Sequence, residues 1–260
     1  TTVLAQQHYE TFSKFLKPFD IEIELWISSK KSKSTSPNKV IVGTHAILFK
    51  QDIPENLNLV VVDEQHRFGV EQREKFLKSK DTIPHYLTMT ATPIPRSLTE
   101  IVFGNTQVSI IKEKPKNRKE IKTKYVPYKK REDCFNWVAQ KIIESNFSQQ
   151  AFVVYPLIEE SSNLEAKAVL TEFENLRNNN FKDIKVEILH GRLKDKEKTD
   201  ILDRFSKKEF NILITTSVIE VGIDMPDATI MVIEDAHRFG LAQLHQLRGR
   251  VGRGNLQSYC

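Results

Sequence analysis

Leu59-Val-Val-Val-Asp-Glu-Gln-His-Arg-Phe68 is the stretch that decides the fold, an apolar run that stops abruptly at two adjacent carboxylates. A run this short, rich in β-branched residues and bounded by polar ones, reads as a strand buried on both faces of a parallel sheet. In open α/β sheets ligands lie just beyond the carboxyl ends of such strands. Asp63 and Glu64 therefore stand where a metal-bound nucleotide would be held. A strand ending in a solvated acidic loop is the competing reading, and the rest of the chain decides between the two.

The chemistry suits the first reading. In phosphoryl transfer an acid after a buried strand helps to hold Mg²⁺, while a second group orients or deprotonates the attacking water. Two adjacent acids can divide that work, Asp63 toward the metal and Glu64 toward the water.

Around this strand the chain is 260 residues long, which favours two domains. Hydrophobic residues at 39 % and charged residues at 28 % allow sizeable cores. No apolar run is long enough to span a bilayer, and no signal-like start is present, so a cytoplasmic protein with no membrane partner is expected. The net charge of +5 permits an anionic partner without demanding one. Cys134 and Cys260 lie far apart and suggest neither a metal cluster nor a disulfide framework. A monomer is expected. The first residue is not methionine and the last segment reads as a strand cut short, so a piece of a longer protein is expected.

Working outward, Thr1 to Lys17 reads as an amphipathic helix through Leu4, His8, Phe12, Phe15 and Leu16. Strands are expected at 21–27, 40–42 and 86–90, a loop at 28–38, and helices at 71–80 and from the turn 91–95 to 102. Residues 112–124, rich in lysine with little to bury, read as a basic linker between a first domain, 1–111, and a second, 125–260. In the second domain strands are expected at 151–155, 186–189, 212–215 and 229–233. Helices are expected at 134–144, from 162 to about 177, and at 195–207, where Ile201, Leu202 and Phe205 face inward. Repeated strand, loop and helix argues for parallel sheets covered by helices.

Several loops then form an ordered set. Asp63-Glu-Gln-His66, Thr90-Ala-Thr92, Thr216-Ser-Val-Ile-Glu-Val-Gly-Ile-Asp224 and Gln246-Leu-Arg-Gly-Arg-Val-Gly-Arg253 resemble motifs II, III, V and VI of superfamily 2 helicases and translocases. Asp63 to Val70, Met89 to Arg96 and Arg238 to Gly254 are similar, more closely, to the RecG family of bacterial ATP-dependent DNA helicases. Gln65 is a departure from the transcription-repair coupling translocases, which usually carry Glu there.

The resemblance implies two RecA-like parallel-sheet helicase domains in tandem, an α/β fold, with ATP and Mg²⁺ as cofactors. It implies a DEQH-box enzyme of DNA recombination and repair, moving on forked or four-way DNA junctions. Asp63 matches the Mg²⁺ ligand and Glu64 the water-activating acid. Gln246, Arg250 and Arg253 match the group that faces the γ-phosphate; Gly222 and Asp224 match the motif V turn and its acid near the nucleotide. Gln6, Gln7, Gly43, Thr44, His45, Arg192 and Thr216 fall on the nucleic-acid side. Gln65, His66, Thr90, Ala91 and Thr92 fall on the path that couples hydrolysis to movement.

The arginines also make sense by themselves. Gly249, Gly252 and Gly254 bring Arg248, Arg250 and Arg253 together in a loop ill suited to an apolar core, and guanidinium matches phosphate oxygens with planar, permanently charged donors. A solvated or backbone-binding arginine loop is the bland alternative. His190 reads as a cap or phosphate contact rather than a metal ligand, since no Cys or His partner lies at ligand spacing. Trp26 and Trp137 read as partly buried anchors. No Gly-x-x-x-x-Gly-Lys-Ser/Thr pattern occurs, so the chain by itself is expected to be inactive in ATP hydrolysis. The motor of a coupling translocase, or a non-catalytic nucleic-acid-binding module, are the other readings.

Overall fold

The computed structural model describes residues 2–27, 30–31, 36, 38–44, 47, 57–63, 83–90, 107–113, 118–156, 163–216 and 225–260. The helices expected at 71–80 and 95–102 lie outside these residues. The chain divides into two compact units, Thr1–Gln107 and Val108–Cys260.

In the first unit, helix α1 (Thr2–Leu16) lies on a sheet of β1 (Glu22–Ile27), β2 (Lys30–Lys31) and β3 (Lys39–Gly43). β3 runs parallel to β1, and β2 pairs antiparallel with β1 within the stretch expected to be loop. Ala5 packs against Leu25, Ile27 and Val42, with Tyr9 at the margin. The expected apolar stripe is thus rotated: Phe12 is 42 % and Phe15 67 % exposed, because the face that meets the sheet runs through Ala5 and Tyr9. Trp26 and Glu24 are both buried. Burying a carboxylate is costly unless it is paired; here Trp26 Nε1 donates to Glu24 Oε2 at 2.6 Å and Lys39 Nζ to Oε1 at 2.9 Å.

β4 (Leu59–Asp63) and β5 (His85–Met89) form a parallel pair in which Asp63 sits opposite Met89. Burial of β4 on both faces is not what is found. Val60 and Val62 are buried, whereas Leu59 is 56 % and Val61 50 % exposed. Successive side chains point to opposite faces, and only the Val60/Val62 face is covered.

The second unit carries the sheet the sequence leads one to expect. β6 (Gln150–Tyr155), β7 (Val186–Leu189), β8 (Ile212–Thr216) and β9 (Ala228–Ile233) are parallel, in the order β7-β8-β6-β9. Helices α2 (Arg131–Glu144) and α3 (Asn163–Asn178) cover one face, where Phe135, Val138 and Ile142 of α2 and Phe173 and Leu176 of α3 meet Ala151, Val153, Ile212 and Ile214. On the other face α4 (Asp195–Ser206) brings in Phe205, whose ring lies 5.2 Å from Phe152 and 5.1 Å from Phe210. Leu202 and Phe205 are buried as expected, and Ile201 is half-buried. Buried amides tie the amino edge of the sheet: Gln150 Nε2 donates to the carbonyls of Phe205 and Phe210, and Asn211 Nδ2 to those of Phe147 and Gln149. Helix α5 (Leu241–Arg248) follows β9.

The stretch expected to be a linker, 112–124, falls within this unit. Lys122 N donates to Ser258 O at 2.9 Å, Cys260 N to Lys122 O at 3.0 Å and Lys124 N to Cys260 O at 2.8 Å. These bonds use main-chain groups, which a lysine-rich segment has as much as any other.

Phe205→Ala should cost the second unit roughly 3–5 kcal/mol, since a fully buried ring is removed from a packed cluster. Leu241→Ala, at a side chain 86 % exposed, should stay within about 0.5 kcal/mol. Denaturant unfolding of both variants checks this, and equal effects would contradict the packing described.

Candidate nucleotide and nucleic-acid site

Both sheets that carry the motifs are parallel, so their strand ends gather functional residues on one edge. In the first unit Asp63 closes β4, and Thr90 follows Met89, the residue opposite Asp63. Strand register alone thus sets the acid of the first motif level with Met89, the residue before the threonine of the next. His8 of α1 reaches the same place, with Nε2 3.9 Å from Asp63 Oδ2. Gln6 and Gln7 precede it on α1, where Gln6 Nε2 donates to Glu10 Oε1 at 3.0 Å.

Gly43 has a steric reason that sequence reasoning did not supply. A β-carbon there would run into the carbonyl oxygen of Trp26 and the side chain of Ile47. Thr44 follows it, half-buried. Glu64, Gln65, His66, His45, Ala91, Thr92, Gly222 and Asp224 lie outside the described residues.

In the second unit Thr216 closes β8, opposite Tyr155 at the end of β6, while Leu189 of β7 stands opposite Thr215. His190 and the exposed Arg192 follow β7 at this same edge. Thr216 is buried, and its Oγ1 finds no hydrogen-bond partner among the described residues.

α5 feeds the arginine loop. Its start is fixed by the Gly240 amide donating to Gln243 Oε1 at 3.1 Å, and it carries the half-buried Gln246. Arg250 and Val251 are buried, Arg253 is half-buried, and Arg248 lies 3.2 Å from the His245 ring. Of the three glycines in the loop, Gly252 alone has a left-handed backbone, φ +75. Gly249 is right-handed, and a β-carbon there would fit.

Residues 1–101 match the DEAD/DEAH box helicase family and residues 134–255 the helicase conserved C-terminal domain. The relative named ATP-dependent DNA helicase RecG from Aquifex aeolicus is 47 % identical over 270 residues, covering all of this chain and 34 % of the relative. Those of the same name from Thermotoga maritima and Bacillus subtilis are 44 % and 41 % identical, again across the whole chain, with 34 % and 39 % of the relative covered. A solved structure of RecG bound to a three-way DNA junction superposes with a TM-score of 0.77 at 38 % identity, covering all of this chain and 34 % of that one. The chain belongs to the RecG-like superfamily 2 helicases. It spans a little over a third of the length of these RecG relatives. Yeast Dbp5 bound to RNA and ADP BeF3, at 19 % identity and a TM-score of 0.67 over 98 % of this chain and 67 % of that one, shares the fold.

This RecG-like chain also holds a charged network that sequence reasoning missed. Arg131, opening α2, donates to Glu234 Oε2 and Glu172 Oε1, each at 2.7 Å, and to Tyr155 Oη at 3.2 Å. Burial opposes its charge, yet the bonds to Glu234 and Glu172 outweigh that and raise its pKa. Burial first, and Glu234 next, push the Tyr155 hydroxyl well above its ordinary range. The network fixes the chain just after β9, where the segment leading to α5 begins. The partners are separated by up to 103 positions, so no local pattern announces them.

His190 gives a pH test. Burial, then the charges of Arg192 and Lys198, hold its pKa below the ordinary histidine value. The unfolded chain therefore takes up this proton first, and the group's contribution to stability falls as pH drops from about 6.5 toward the folded pKa. NMR titration should place the His190 midpoint below 6.5; a midpoint at or above it would contradict the geometry.

Proposed function

We propose that this chain is the motor portion of an ATP-dependent DNA helicase that couples ATP hydrolysis to movement on branched DNA in recombination and fork repair. The observation that carries this reading is that the motif residues fall at the carboxyl ends of parallel strands, Asp63 closing β4 and Thr90 following β5 in one unit, and Thr216 closing β8 with His190 and Arg192 following β7 in the other. Whole-length similarity to RecG supports it over a coupling translocase or a non-catalytic module.

ATP and Mg²⁺ fit the residues present. Asp63 is a partly exposed carboxylate at a strand end, suited to a hard cation, and Mg²⁺ would neutralise charge on the phosphates. Glu64 would take the proton of the attacking water. Gln246, Arg250 and Arg253 would meet phosphate oxygens, Arg253 as the finger that stabilises transition-state charge. Gly222 and Asp224 would flank the nucleotide. Gln65, His66, Thr90, Ala91 and Thr92 would link it to the DNA side formed by Gln6, Gln7, Gly43, Thr44, His45, Arg192 and Thr216. The protein would act as a cytoplasmic monomer on forked or four-way junctions; no helix among the described residues is long and apolar enough to cross a membrane. The phosphate-cradling Gly-Lys pattern is absent from these 260 residues, so turnover is to be measured in the full-length protein.

There, Glu64→Gln should abolish ATP turnover and leave nucleotide binding largely intact, because the proton acceptor is lost while its shape is kept. Wild-type turnover in that variant would remove Glu64 from the mechanism. Arg253→Ala should lower DNA-stimulated kcat by roughly 10³-fold or more with a much smaller change in nucleotide affinity. A fall in DNA affinity alone, with a shallower salt dependence, would make Arg253 a backbone contact instead.

A further inference from the structure

The end of the arginine loop is built into the sheet. Tyr259 N donates to Thr229 O at 2.8 Å, and Met231 N to Tyr259 O at 2.9 Å, so the chain from Ser258 runs parallel beside β9. On its other side it is held by the segment 120–124 through the three bonds already given, and Gln257 Nε2 adds a fourth to Glu120 O at 2.8 Å. The ring of Tyr259 meets Trp137 edge-on, centroids 5.0 Å apart. Segment 120–124 precedes every named helix and strand of the second unit, and it is bonded to the chain that follows that unit's arginine loop.

One side chain of this segment does something its neighbours do not. From 118 to 130, all described residues, every position is exposed except Ile121. Its side chain covers Gly252: a β-carbon on Gly252 would lie 2.9 Å from Ile121 Cγ1 and 3.2 Å from Cδ1, with Ser258 Cβ beyond at 3.7 Å. Gly252 has φ +75 and stands between the buried Val251 and the half-buried Arg253. The turn that aims Arg250 and Arg253 is thus clamped between an isoleucine from 120–124 and a serine from the strand that follows the loop.

We propose that Ile121 is a positioning residue for the arginine loop, and that the segment 120–124 sets the aim of Arg250 and Arg253 through it. An exposed segment held mainly by main-chain bonds, with one half-buried apolar side chain, is easily displaced. Any displacement of 120–124 would release Gly252 and with it the arginines, so this segment would control how well the loop meets phosphate. The kinetic consequence rests on the function proposed above; the structural one does not.

The test compares wild type, Ile121→Val and Ile121→Ala in the full-length protein by amide hydrogen exchange and by DNA-stimulated ATP hydrolysis. In Ile121→Ala, exchange across 250–253 should accelerate while β6 and β8 stay protected. There kcat should fall roughly ten- to a hundredfold, the scale of a misplaced catalytic group, with the KM for ATP within about twofold. Ile121→Val, which keeps a branched side chain, should restore most of both. Unchanged exchange at 250–253 in Ile121→Ala would overturn the proposal, as would faster exchange with kcat intact. A general loss of protection in Ile121→Ala, unaccompanied by any local effect in Ile121→Val, would also overturn it. Should wild type itself turn over no ATP, the functional reading fails and exchange at 250–253 alone decides the role of Ile121.

Discussion

Parallel pairing is the constraint on which the sites in this molecule depend. A parallel strand cannot be joined to its neighbour by a tight hairpin, so each strand leaves the sheet by a loop at its carboxyl end and returns through a crossover. In the second unit this puts the ends of β6, β7, β8 and β9 on one edge, and with them Tyr155, His190, Thr216 and Glu234. In the first unit it puts Asp63 level with Met89, just before Thr90. Residues scattered along the chain are brought to one edge by the hydrogen-bond ladders and the apolar faces beneath them.

Those faces explain why the sequence was easier to read in one unit than in the other. β6 and β8 are buried along their whole length, so an unbroken apolar run had the meaning given to it. The same kind of run in Leu59 to Val62 did not: Leu59 and Val61 face outward, and the composition of a strand says how much apolar surface it offers, not what comes to cover it. In α1 the spacing of Phe12 and Phe15 was helical, yet small Ala5 and Tyr9 make the contact, because close approach to β1 and β3 favours a small side chain.

Three other features were invisible for physical reasons. Lysine-rich 118–124 paired with the chain end through main-chain groups, which carry no side-chain signature, and its one informative residue, Ile121, looked incidental. Arg131, Glu172 and Glu234 meet only when α2, α3 and the end of β9 are assembled. Gly43 looked like part of a DNA-tracking motif and has a packing duty as well, leaving room for the Trp26 carbonyl. The motif residues could be proposed from the sequence because phosphate chemistry admits few residue types.

The most direct measurement replaces Mg²⁺ by Fe²⁺ in the full-length protein with a non-hydrolysable ATP analogue and maps the backbone cuts made by locally generated hydroxyl radicals. Cuts clustered at the carboxyl end of β4 and around Thr90, and lost in Asp63→Asn, are what the account predicts. Cuts elsewhere, or cuts indifferent to Asp63, would contradict it.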